Sequence, residues 1–138
     1  MSFLLLRDVH THFPIRKGSF GSTTDWVRAV DGVSLSIEKG EILGLVGESG
    51  CGKSTLARTI MQLERATSGE IWLEGENLLT LHPSEIRKRR LEFQMVFQDP
   101  YASLNPRMTV SSMLGESIRT RHRCSGKELE RRIVELME

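Results

Sequence analysis

Residues 47–55 read GESGCGKST, which fits G-x-x-x-x-G-K-[ST] with Gly47, Gly52, Lys53 and Ser54 at the fixed positions. EILGLV (residues 41–46) precedes it, an apolar run of strand length. TLARTIMQL (residues 55–63) follows, with Leu56, Ile60 and Leu63 at helical spacing. Strand, glycine loop and helix is the order in which this pattern cradles phosphate.

A polyphosphate is densely anionic, so its site must offer many donors without side-chain crowding. Glycine lets the backbone approach closely and turn its N–H groups inward as an anion nest. The helix that begins at Lys53 adds its positive end to the same point. The spacing thus predicts nucleotide contacts from the whole loop: Gly47, Glu48, Ser49, Gly50, Cys51, Gly52, Lys53, Ser54 and Thr55. Lys53 is expected to reach the outer phosphates, Ser54 to ligate Mg²⁺ and Thr55 to donate to an inner phosphate oxygen. Cys51 sits near a helix N-terminus and a lysine, a setting that lowers a thiol pKa. The plainer reading is a small filler.

Composition bounds the rest. A chain of 138 residues, 38% apolar and 27% charged, is an ordinary globular sequence of about one domain. Its net charge of +1 gives no broad basic field for nucleic acid. The apolar run at residues 3–6 is far too short for a signal peptide or a membrane span. Two cysteines, Cys51 and Cys124, make neither a disulfide framework nor a metal spacing, which suits a reducing cytosol.

Along the chain, residues 3–13 read as an opening strand, and residues 14–26 as a loop or hairpin excursion. Residues 29–37 alternate apolar and polar at Val33, Leu35 and Ile37, as a half-buried strand does. Glu38-Lys39-Gly40 turns into the strand at residues 42–46. Further strands are expected at residues 70–75 and at FQMVF, residues 93–97. Helices are expected after Pro83 with Ser84 as cap, at residues 110–121, and from Ser125 with a Ser125/Glu128 capping box. The apolar stripe of Leu129, Ile133, Leu136 and Met137 runs to the last residues without a stop signal, so the sequence reads as the front of a longer protein.

Two stretches make the assignment specific. Residues 29–75, AVDGVSLSIEKGEILGLVGESGCGKSTLARTIMQLERATSGEIWLEG, closely resemble the start of ATP-binding-cassette domains. FQMVFQDPYASLNPRMTV (residues 93–110) resembles the glutamine loop of the oligopeptide, dipeptide and nickel importers. The two lie forty-odd positions apart, as in the family, and the likeness spans nearly the whole chain. It implies an α/β fold: a P-loop NTPase core with an N-terminal antiparallel β subdomain, truncated before its second half. Residues 1–138 would form the N-terminal part of one nucleotide-binding domain, with the phosphate loop at 47–55, the glutamine loop around 98 and a helical subdomain from about 110 to 138. By the same resemblance, Gln98 helps hold Mg²⁺ and water, and residues 99–107 face the permease subunits. Lys53 and Gln98 are the catalytic candidates, Ser54 and Gln98 the metal candidates. An aromatic residue stacks on adenine in this family; Phe13, at the end of the first strand, is preferred and Trp26 is the alternative.

The implied protein is an ATPase that binds ATP and Mg²⁺, pairs with a second cassette and sits on the cytoplasmic face of the cell membrane through permease subunits. It would drive peptide import. No nucleic acid is expected. The chain has no aspartate-glutamate pair after an apolar strand, no LSGGQ-type signature and no switch histidine, so by itself it is expected to bind ATP weakly or not at all and hardly to turn over. His10 and His12 share a strand face, which suggests metal or merely a solvated strand. Rival readings are a nickel importer ATPase, a non-transport cassette protein, and a self-contained P-loop kinase or NTPase using Asp99. The basic run at residues 87–90 is read as a solvated helix face rather than a nucleic-acid patch.

Overall fold

The computed structural model describes residues 2–17, 23–97, 99, 104–122 and 124–138. It falls into two units, Met1–Gln94 and Met95–Glu138.

The first unit is built on β1 (Leu4–Lys17), β2 (Thr23–Ile37), β3 (Ser68–Leu73) and β4 (Glu76–Asn77). They form an antiparallel sheet in the order β2-β1-β3-β4. The expected excursion at residues 14–26 is a hairpin: Lys17 still pairs with Thr23, and its tip lies outside the described residues. Val33, Leu35 and Ile37 pack on the core, as their alternation predicts.

Alternation fails once in β1, and the failure matters. Leu4 and Leu6 point into the core, but so do Val9 and Thr11. The register explains the change of parity. Leu6 faces Leu35 and Val9 faces Val33, so β1 carries one extra residue, and Asp8 stands there at φ +46°. Between Val9↔Val33 and Thr11↔Val30 the extra residue lies in β2, beside Gly32 at φ +75°. A third irregularity follows between Thr11↔Val30 and His12↔Arg28, with Ala29 as the extra residue of β2; such features bend the ladder and re-aim side chains. They turn His10 and His12 away from the core.

Helix α1 (Lys53–Ile60) supplies Leu56 to the core and α2 (Pro83–Arg89) supplies Ile86. They join Leu4, Leu6, Val9, Val30, Ile71, Leu73 and Leu78. Each such burial stabilises by roughly 1.5–3 kcal/mol. Thr59 of α1 donates its buried hydroxyl to the Thr55 carbonyl (2.8 Å), so Thr11 of β1 donates to Thr59 Oγ1 (2.9 Å). That bond pins the helix to the sheet with no polar atom left over.

Several expectations are corrected. Residues 42–46 and 93–97 are not strands: a strand needs a ladder partner, and none exists for them among the described residues. Ile42 and Val46 are 97% and 90% exposed. Ser84 does not cap α2. His82 does, its ring accepting from the Ser84 N–H while Glu85 accepts from the His82 N–H at 2.8 Å. In the run at residues 87–90, Arg89 pairs with Glu76 and Glu92, and Arg90 donates to the Gln62 carbonyl.

The second unit contains α3 (Val110–Arg121), with the bounds expected, and α4 (Lys127–Met137). They pack where Gly115 faces Ile133 and Leu129. The expected Ser125/Glu128 capping box is absent: the N-cap is Gly126, and Glu128 accepts from Arg131 (3.1 Å) and Arg132 (2.7 Å) instead. Those guanidiniums, Arg131 first, hold the Glu128 pKa below its ordinary value. A depressed carboxylate stabilises above its unfolded pKa, and that contribution is lost as pH falls through the folded one. A carboxyl-carbon NMR titration should therefore place Glu128 below an unfolded-peptide glutamate. Arg131→Ala should move it upward, and an unmoved midpoint would deny the pair any role.

Candidate functional site

The sharpest cluster of phosphate-binding chemistry lies where α1 begins. Gly52 is its N-cap, at φ +96° and ψ 1°, and no side chain caps the helix. The first turn contains no acidic residue. The positive helix end is therefore unanswered by the protein, which is the condition for receiving an anion. A Cβ on Gly52 would lie 2.0 Å from the Ala29 carbonyl oxygen, so the loop rests directly on β2. At Gly47 a Cβ would meet Cys51 Sγ at 2.8 Å. Of the loop's three glycines, Gly52 is thus imposed by contact with main chain, whereas at Gly47 the neighbour is a side chain that can turn aside.

Lys53 folds back over the loop. Its Nζ donates to the carbonyls of Gly47 (2.8 Å) and Glu48 (2.6 Å) and lies 3.5 Å from Cys51 Sγ. An ammonium has three donors. Two are committed to the loop and hold the side chain in place, while the third meets only a weak acceptor. That third donor is free to take a phosphate oxygen at little conformational cost. The Cys51 and Ser54 side chains are exposed. A cavity of about 300 Å³ opens here, lined by Gly50 to Thr55 and, from β2, by Val27, Arg28 and Ala29.

Those three β2 residues were not legible in sequence, since they reach the loop only through the hairpin. Phe13 does not end β1: the strand runs four residues further. Phe13 stands opposite Val27, so the two share a face of the sheet; Val27 lines the cavity, as does Arg28 of the other face, whereas Phe13 does not. Trp26 stands opposite Pro14, on the other face, and is exposed. Ser54 begins the helix as expected, whereas its expected Mg²⁺ co-ligand Gln98 lies outside the described residues, as do Pro100 to Ser103 of the segment that follows. Asp99 is exposed and belongs to the second unit. No helix among the described residues is long and apolar enough to cross a membrane.

Known proteins resemble this chain along its length. It is 47% identical over 137 residues to the oligopeptide transport ATP-binding protein AppF of Bacillus subtilis, spanning 99% of the chain and 42% of that protein. With the oligopeptide transport ATP-binding protein OppF of Escherichia coli the identity is 46%, over 97% of the chain and 41% of that protein. Among solved structures, the cassette MJ0796, a dimer in a post-hydrolysis state bound to ADP and Pi, superposes with a TM-score of 0.74 at 26% identity. That match covers 96% of this chain and 54% of the other. The chain therefore spans less than half the length of these sequence relatives. The sequence pattern of the family described as ABC transporter matches residues 30–138. On the glycine loop, the lysine held across it and this match over most of its length, the chain belongs to the ABC transporter family.

Proposed function

We propose that this chain provides the ATP-binding part of an importer's ATPase subunit, one that drives peptide uptake. The observation that carries the reading is Lys53, held by two loop carbonyls with one donor to spare above an uncapped helix. The names of the relatives, oligopeptide transport ATP-binding proteins, support the peptide cargo.

The residues fit ATP with Mg²⁺. The backbone from Gly47 to Thr55 surrounds the phosphates, Lys53 neutralises the outer ones and Ser54 offers its hydroxyl to the metal. Mg²⁺ supplies charge neutralisation across the phosphates. Phe13, opposite the cavity-lining Val27, is the preferred adenine platform, and Trp26, on the face of the equally cavity-lining Arg28, is the alternative. Gln98 completes the metal site and senses the outer phosphate. Since no general base is found in this sequence, this chain's own share of the work is binding. In the whole protein a second cassette closes over the nucleotide and permease subunits receive the movement, on the cytoplasmic face of the membrane. The near-neutral charge and the internal pairing of Arg89 and Arg90 favour this over a nucleic-acid role.

The test is calorimetric titration of the protein with ATP and Mg²⁺ beside Lys53→Ala. A charge-assisted hydrogen bond is worth about 1.5–3 kcal/mol, so the variant should bind roughly 10- to 150-fold more weakly. Its melting temperature should hold, because the side chain packs on loop carbonyls and not in the core. Equal affinity in the two proteins would refute the assignment of the loop.

A further inference from the structure

On the face of the sheet away from the core, the bulges at Asp8 and Gly32 bring five side chains together. His10 Nδ1 lies 2.9 Å from Asp31 Oδ1, and His12 Nε2 lies 3.3 Å from the same oxygen. On its other side, His10 Nε2 lies 3.1 Å from Asp8 Oδ1. The second Asp31 oxygen is taken by Arg28, at 3.4 Å. The two imidazoles stand edge to face, 5.5 Å between ring centres. Both are mostly shielded, with about a fifth of each side chain exposed (22% and 20%), while Asp31 opens to solvent at 45%.

We propose that His10, His12 and Asp31 form a three-ligand site for a divalent transition metal, Zn²⁺ by ligand chemistry. One ligating atom from each of His10, His12 and Asp31 lies within 4.8 Å of the other two, and His10 Nδ1 and His12 Nε2 both face Asp31 Oδ1. A tetrahedron with bonds of about 2.0–2.1 Å has edges of roughly 3.3 Å, which the two separations from Asp31 Oδ1 already approach. Two nitrogens and one carboxylate oxygen suit Zn²⁺, and the open side of Asp31 leaves room for water as a fourth ligand.

The backbone argues that the arrangement is built. A two-residue alternation puts His10 and His12 on one face for nothing, but it would not aim either carboxylate at them. Asp31 gets there through the β2 bulge, which Gly32 makes possible. A Cβ on Gly32 would fall 3.3 Å from Asp8 Oδ1 and 3.5 Å from His10 Cε1. Asp8 gets there through the β1 bulge, with a left-handed backbone uncommon outside glycine. Its carboxylate is then the orienting partner that metal-bound histidines use: by accepting from Nε2–H it fixes the tautomer and leaves the Nδ1 lone pair for the ion. Arg28 holds the remaining Asp31 oxygen in the same way. This site is separate from the nucleotide reading and stands whether or not that reading does.

The experiment is titration of the full chain with Zn²⁺ at pH 7.5 by calorimetry, with Co²⁺ as the spectroscopic substitute. The expected result is one ion per chain and a tetrahedral Co²⁺ spectrum without a thiolate charge-transfer band. His12→Gln and Asp31→Asn, near-isosteric changes checked for folding by circular dichroism, should each weaken binding tenfold or more. Asp8→Asn, which touches no ligand atom of the ion directly, should weaken it by about 10- to 100-fold. Should either ligand variant misfold, zinc-induced shifts of the His10 and His12 ring nitrogens in the unmodified protein decide the matter. No saturable binding, a thiolate band, unmoved ring nitrogens, or an affinity indifferent to His12→Gln and Asp31→Asn would each overturn the site.

Discussion

Gly52→Ala is expected to lower both the stability of the protein and its affinity for ATP, and by more than any other glycine change in the loop. Two costs add. The residue stands at φ +96°, where a side chain carries strain of about 1–3 kcal/mol. Its new methyl group would also sit 2.0 Å from the Ala29 carbonyl oxygen. That oxygen is main chain of β2, so relief must come from shifting backbone, at roughly another 1–3 kcal/mol. The shift displaces the start of α1 from the cavity and should weaken nucleotide binding at least tenfold. Gly50→Ala is the control, because Gly50 is also left-handed (φ +82°) but faces open space. Thermal unfolding and nucleotide titration of the two variants should rank Gly52 well above Gly50. Equal effects would show that strain alone matters and that the seat on β2 does not.

Ile71→Ala should be the most costly change in the core. Ile71 is wholly buried on β3, opposite Leu6 of β1, in the cluster that also takes Leu56 from α1 and Ile86 from α2. Removing its outer carbons forfeits their transfer energy and leaves a void that a sheet and two helices cannot easily collapse. Such changes cost about 2–5 kcal/mol, a fall in Tm on the order of 10 °C for a chain of this size. Val96→Ala, at a side chain 95% exposed, should stay within about 0.5 kcal/mol of the parent. Calorimetric melting of both variants checks the contrast; a small loss at Ile71 would mean that the sheet and helices close over the void.

What the sequence made legible was local. The phosphate loop, the bounds of α3 and the strand around Ile71 follow from spacing and periodicity over a dozen residues or fewer. What it hid depends on partners distant in the chain. Whether residues 42–46 become a strand is decided by a ladder, and apolar character alone does not supply one. The caps of α2 and α4 turned on competition: His82 reached the helix end before Ser84, and two arginines claimed Glu128. The parity change at Asp8 is register between strands, invisible along one of them. The site inherits this division. Lys53 and Gly52 can be read directly, whereas Val27, Arg28 and Ala29 reach the cavity only by way of the hairpin.

The run at residues 42–46, without a ladder partner among the described residues, has a consequence for these 138 residues taken alone in bulk solution. Its exposed apolar side chains, and amides that join no ladder among the described residues, offer what an extended segment of another molecule needs to add alongside. Light scattering should therefore rise with concentration, and charge repulsion will do little to oppose it, because a net charge of +1 leaves colliding molecules nearly neutral to one another.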